Sequence, residues 1–175
     1  MATAKRSRQT RGRPGEAITP AKQIASFLAK YTPEMSATAS DTRARMRTRV
    51  PGGVEFVYDN YNALVFGFGP TERVSDAILS LAIFPQWVTL CFLKGAKLRD
   101  PKKLLQGSGN IVRTVRLSSP AHLGDPDVES LIAAAIATAT PAYDLDGSKP
   151  RTIVKSISAK QRPRRPAESG ARKSK

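Results

Sequence analysis

Apolar side chains recur along this chain in two different periods, and the change falls at Pro51-Gly52-Gly53. Before it, Ile24, Phe27, Leu28 and Tyr31 stand at i, i+3, i+4 and i+7, one face of a helix. Thr19-Pro20 opens that run with a capping hydroxyl and the residue favoured at the first helical position. Thr32-Pro33 repeats the signal, and a weaker stripe of Met35, Ala39, Thr42 and Met46 carries a second helix toward Val50. The other face of this helix holds Arg43, Arg45, Arg47 and Arg49.

After the glycines the apolar runs become short, rich in β-branched and aromatic residues, and bounded by turn residues. Residues 54–58, 63–68, 77–84, 87–93 and 111–117 read as the strands of an antiparallel meander. Their turns are Asp59-Asn60, Gly69-Pro70, Pro85-Gln86 and Gly107-Ser108-Gly109, and the longer link 95–110 covers one end of the sheet. Asp125-Pro126 opens the clearest helix, with Val128, Leu131, Ile132, Ala135, Ile136 and Ala139 as its buried stripe and Pro141 as its stop. Alternation of Ile153, Lys155 and Ile157 adds an edge strand over 151–157. Helices, then strands, then a helix make an α+β two-layer sandwich, with about five or six antiparallel strands backed by the helices.

Charge changes this picture at the ends. The 175 residues carry a net charge of +15. Residues 1–17 hold five Lys/Arg against one acid, and residues 144–175 hold ten against three, whereas 18–143 hold fourteen against ten. Residues 1–17 and 160–175 have almost no large apolar side chains, so they are expected to stay disordered, as basic tails around a domain over 18–143. A body of that size buries about two-thirds of its unfolded surface. The single cysteine, Cys91, leaves no internal disulfide framework. The most apolar region, 77–93, is interrupted by Ser80, Pro85, Gln86 and Thr89, so no membrane span is expected, and the basic start is followed by no continuous apolar stretch, so no leader is expected. A cytoplasmic protein is the expectation.

Candidate chemistry is sparse. Gly107-Ser108-Gly109 precedes a strand instead of opening a helix, and no Gly-Lys-Ser/Thr follows, so it is a turn and not a phosphate cradle. His122 to Glu129 gathers one imidazole and three carboxylates, but Asp125, Asp127 and Glu129 are accounted for by a helix start. His122 is the only histidine, and it lies in a loop without a serine elbow; Cys91 lies within an apolar strand. No catalytic residue, metal ligand or cofactor is expected.

Two binding surfaces remain. Tyr58, Asn60 and Tyr61 crowd one strand end, and with Lys94 and Arg113 from other strand ends they make a candidate recognition surface. Arg11-Gly12-Arg13-Pro14 resembles the core of the AT-hook, which enters a narrow minor groove. Arg11 and Arg13, with Arg162, Arg164 and Arg165 at the other end, are the candidate contacts to nucleic acid or another polyanion.

Three stretches, 57–68, 77–117 and 125–139, carry a wider resemblance, strongest over 95–113 with its Gly-x-x-Leu-x-Asp-Pro, Leu-Leu-x-Gly-x-Gly and Val-Arg elements. They resemble the YdhG-like domain, of the superfamily that also holds the frataxin-like CyaY and YjbR proteins. The resemblance implies an α+β sandwich and assigns no activity. A non-catalytic binding or adaptor domain is the first expectation, its basic tails engaging nucleic acid or another polyanion, with a protein as the other expected partner. A frataxin-like iron chaperone is the alternative. Its acidic ridge has no counterpart among Glu34, Asp41 and the four arginines of the early helix, so no metal ligand is carried across.

Overall fold

A computed structural model describes residues 18–166 of the chain. Helix α1 (Pro20–Leu28) and helix α2 (Pro33–Arg49) come first, each with proline in its opening turn. Thr19 accepts a hydrogen bond from the Lys22 N–H, and Thr32 accepts one from the Met35 N–H, so both capping hydroxyls satisfy a helical donor. Strands β1 (Val54–Asp59), β2 (Leu64–Gly69), β3 (Leu79–Ile83), β4 (Val88–Phe92) and β5 (Arg113–Leu117) follow. Helix α3 (Pro126–Ala137), capped by Asp125 through the Asp127 N–H, leads to strand β6 (Arg151–Ile157).

The six strands form one sheet in the order β5-β4-β3-β2-β1-β6. The first five are the expected antiparallel meander. The sheet is nevertheless mixed, because β6 lies parallel to β1. After β5 the chain crosses through α3 to the far edge of the sheet, and it re-enters there alongside β1, running the same way; parallel neighbours need such a crossover.

Register explains the core. Val57, Phe66, Leu81, Leu90 and Val115 are successive partners across five strands, and all are buried. Phe27, Met46 and Leu131 from the three helices join the same apolar cluster. The next row, one residue along each strand, faces away: Phe56 meets Gly67, and Ser80 meets Cys91. Phe56 lies with Val54 and Ala77 in a separate small cluster flanked by Ile153. Period-two alternation thus divides one helix-covered face from another built mostly of small side chains.

The disorder expected over 160–175 does not hold for 160–166. Beyond the β6 pairing, the Ser158 N–H donates to the Asp59 carbonyl at 2.8 Å, and the Arg162 N–H donates to the Tyr61 carbonyl at 2.9 Å. This segment is fastened by backbone pairing and by buried charge, neither of which depends on large apolar side chains. Residues 18–166 consequently carry twenty-one Lys/Arg against twelve Asp/Glu, so much of the cationic surplus belongs to the folded body. Residues 1–17, with Arg11 and Arg13, lie outside the described residues. Among the described residues no helix is long and apolar enough to cross a membrane.

Candidate anion-binding site

The meander separates the five residues grouped as a recognition surface. Tyr58, Asn60 and Tyr61 sit where β1 turns into β2, at the end of the sheet marked by the Asp59–Leu64 and Ile83–Val88 pairs. Lys94 and Arg113 flank Phe92, which pairs with Leu79 at the opposite end. Strand direction alternates, so the end of β1 and the end of β4 must point apart. Arg113 is further occupied, its guanidinium donating to the Val112 carbonyl at 2.9 Å and to the Gly109 carbonyl.

The Tyr58–Asn60–Tyr61 turn binds the chain's own C-terminal segment. Arg164 is only 3 % exposed; its Nη2 reaches the Asp59 carboxylate at 3.4 Å and donates to the Asn60 carbonyl. Lys30 from the end of the first helical region donates to the same carboxylate and, at 2.7 Å, to Gln161. Arg165 donates to the Tyr31 and Ala29 carbonyls, both at 2.8 Å. Arg164 is therefore committed to the fold, whereas Arg165, fastened to two carbonyls, stays exposed. Arg162 stays exposed, its guanidinium 5.6 Å above the Tyr61 ring. Burial raises the Tyr58 hydroxyl above its usual value.

The four arginines of α2 divide between two faces. Arg45 pairs with Asp41 at 3.0 Å, and Arg49 pairs with Glu129 at 2.6 Å. Arg43 and Arg47, one turn apart, converge on Glu55, whose side chain is fully buried on the helix-covered face of β1. Arg43 grips it bidentately, Nε and Nη2 each 2.7 Å from a carboxylate oxygen, with its guanidinium 5.2 Å from the Phe66 ring. Arg47 donates to Glu55, to the Thr152 hydroxyl at 3.0 Å and to the Pro150 carbonyl at 2.7 Å. Thr152 in turn donates to Glu55 at 2.7 Å. Glu55 stands outside the candidates that the sequence offers. Its signal was a carboxylate in phase with inward-facing Val57 and Asp59, inside the otherwise apolar run Val54 to Tyr58.

This cluster forms one side of a cleft of about 520 Å³. Pro20, Ala21, Ile24, Ala25 and Leu28 of α1 form the apolar wall, and Arg43, Arg47 and Thr152 form the polar one. Two guanidinium groups against one carboxylate leave one positive charge. Arg43 Nη1 and Arg47 Nε have no acceptor among the described residues. The arginines are thus fixed in place, keep a donor each and face an apolar surface, which suits an anion carrying an apolar body.

Other expectations resolve locally. Asp125 caps α3 and Glu129 pairs with Arg49, so the carboxylates after His122 disperse as a helix start requires. The Ser118 N–H donates to His122 Nδ1 at 3.3 Å. Cys91 is half-buried, and burial holds its thiol above the ordinary range, against the reactivity of a nucleophile. Gly107, at φ 115, bends the chain just after Gln106 bridges to Thr114, so the glycine turn does feed β5. Among the described residues no cluster of three His, Cys, Asp or Glu side chains is placed to hold a metal ion.

Compared with protein-family models, with curated proteins and with solved structures, the chain matches none.

Proposed function

We propose that the chain is a non-catalytic binding domain of YdhG-like, two-layer architecture, and that the cleft between α1 and α2 receives a small anion with an apolar body. The carrying observation is the pair Arg43 and Arg47, locked on buried Glu55 beside the apolar wall of α1. A guanidinium held this way recognises a carboxylate or phosphate with little ordering cost on binding. The cleft volume lies in the range of small-ligand pockets, about 300–1,000 Å³. A cytoplasmic location belongs to the same proposal.

Amide shifts on titration with a series of apolar monocarboxylates and monophosphates test it. Saturable shifts confined to α1, α2 and Thr152 are expected, and Ala25→Phe, which fills the cleft from an exposed position, abolishes them. Absence of saturable shifts, or their survival in Ala25→Phe, removes the cleft from consideration.

A second reading, polyanion binding, is carried by a separate observation. Lys94, Lys97, Arg99, Lys102 and Lys103 are all exposed on the loop between β4 and β5, and Asp100 is the one acid among them. None of the five is ion-paired among the described residues. Retention on heparin that falls steeply with salt, and falls further in Lys102→Glu/Lys103→Glu, is the expected result. The iron-chaperone alternative gains nothing from the geometry, since Glu55 and Asp59 already hold cationic side chains.

A further inference from the structure

The loop between β4 and β5 combines its positive charge with exposed apolar residues, and it is held in shape. Leu98, Leu104 and Leu105 pack against the main core, so the loop is pinned along its length. The Asp100 carboxylate accepts from the Leu105 N–H at 2.7 Å, and Lys103 takes a left-handed backbone, φ 55, to close the intervening turn. The Ala96 N–H donates to the Ile111 carbonyl at 2.9 Å, which sets Ile111 beside the lysines at 94 and 97. Arg113 braces the same tip through the Gly109 and Val112 carbonyls. On this fixed tip Ile111 is 63 % exposed and Val112 42 %. They are the only adjacent pair of exposed large apolar residues among the described residues.

We infer that this loop docks on an anionic lipid bilayer, with Ile111 and Val112 entering the headgroup region while Lys94, Lys97, Arg99, Lys102 and Lys103 meet acidic headgroups. The inference rests on the polyanion reading and names its partner. Lysines beside protruding branched aliphatics suit an interface that offers charge at its surface and hydrocarbon just beneath. Nucleic acid offers no such layer to Ile111 and Val112, and residues 94–113 contain no aromatic ring to stack on bases. The occupant favoured by charge and by apolar exposure together is therefore the bilayer.

Sedimentation of the full chain with vesicles of phosphatidylcholine, with and without phosphatidylserine, tests the inference, alongside binding to duplex DNA. Binding only to the acidic vesicles is expected, weakening steeply with salt. Lys102→Glu/Lys103→Glu should lose roughly thirtyfold or more of the partition, from about a fivefold effect per lysine near an acidic surface. Ile111→Asp should also lose roughly tenfold without a change in thermal midpoint. Vesicle binding unchanged in both variants places the contact elsewhere and overturns the inference. Sensitivity to the lysines but not to Ile111 overturns the insertion. Binding to DNA but not to vesicles overturns the lipid partner while keeping the polyanion reading, and binding to neither removes both.

Discussion

Glu55 and Asp59 lie four residues apart on the same inward face of β1, and each is fully buried against basic side chains from other elements. Glu55 takes Arg43 and Arg47 from α2; Asp59 takes Lys30 from the first helical region and Arg164 from the C-terminal segment. One strand thereby fastens the helical layer at one point and the end of the chain at the other. A buried carboxylate is costly without partners, so both clusters are ledgers of mutual dependence and not added attraction.

The first prediction concerns which partner is removed. In Glu55→Ala the leftover charges are Arg43 and Arg47, whose side chains are 23 % and 18 % exposed and can turn toward water. In Arg43→Met/Arg47→Met the leftover charge is Glu55, with no exposure at all. The double arginine variant should lose about 3–5 kcal/mol and Glu55→Ala about 1–3 kcal/mol. Urea midpoints at neutral pH decide it, and the reverse order would contradict the burial argument.

The second prediction separates two neighbouring arginines that the charge pattern treats alike. Arg164→Ala strips a buried partner from Asp59 and should cost about 2–3 kcal/mol. Arg162→Ala loses a stacking contact on exposed Tyr61 and should stay within about 1 kcal/mol. Thermal unfolding of the two variants checks this, and equal effects would mean that the C-terminal segment is not held through Asp59.

Elements were easier to read than fastenings. The strand expected over 54–58 is Val54–Asp59, the helix opened by Asp125 is Pro126–Ala137, and the edge strand at 151–157 is β6, because period and caps are written locally. Arg164 could not be placed that way. Its partner lies 105 residues away, and Lys/Arg-rich sequence looks the same whether it is solvated or folded onto a carboxylate. The split of Tyr58 from Lys94 follows from strand parity, which the expected meander already contains: the ends of its first and fourth strands point apart. Of the cleft, the α1 wall was legible in the Ile24–Leu28 stripe, but Arg43 and Arg47 read as one solvated face with Arg45 and Arg49. Only the distance to Glu55 divides them.

The third prediction is a pH dependence. Burial raises the Tyr31 hydroxyl above its ordinary value of 10.0; it donates to the Ile83 carbonyl at 2.7 Å and accepts from the Leu64 N–H. Burial raises Tyr143 as well. An acid whose folded pKa is raised stays protonated in the folded state while the unfolded chain ionises near pH 10. Its contribution is complete below pH 10 and is lost as pH climbs above it. Urea midpoints should therefore fall above pH 10, and Tyr31→Phe/Tyr143→Phe should flatten that fall although it lowers stability at pH 7. An equally steep fall in the double variant would show that neither phenol drives it.

The last prediction contrasts two glycines of the β4–β5 loop. A Cβ on Gly95 would stand 2.7 Å from the Arg113 Cβ and 2.8 Å from the Phe92 Cβ, so Gly95→Ala must push the loop off the end of the sheet. A Cβ on Gly109 meets nothing within 4 Å, and the backbone there is outside the left-handed region. Gly95→Ala should cost about 1–3 kcal/mol, while Gly109→Ala should be neutral or stabilise by about 0.4–1 kcal/mol through the unfolded chain. Neither variant alters charge. If the loop binds anionic surfaces through a fixed arrangement of Ile111 and the lysines, Gly95→Ala should weaken vesicle partition at unchanged net charge, and Gly109→Ala should not. Equal partition by both would mean that charge alone, without the loop's shape, accounts for the binding.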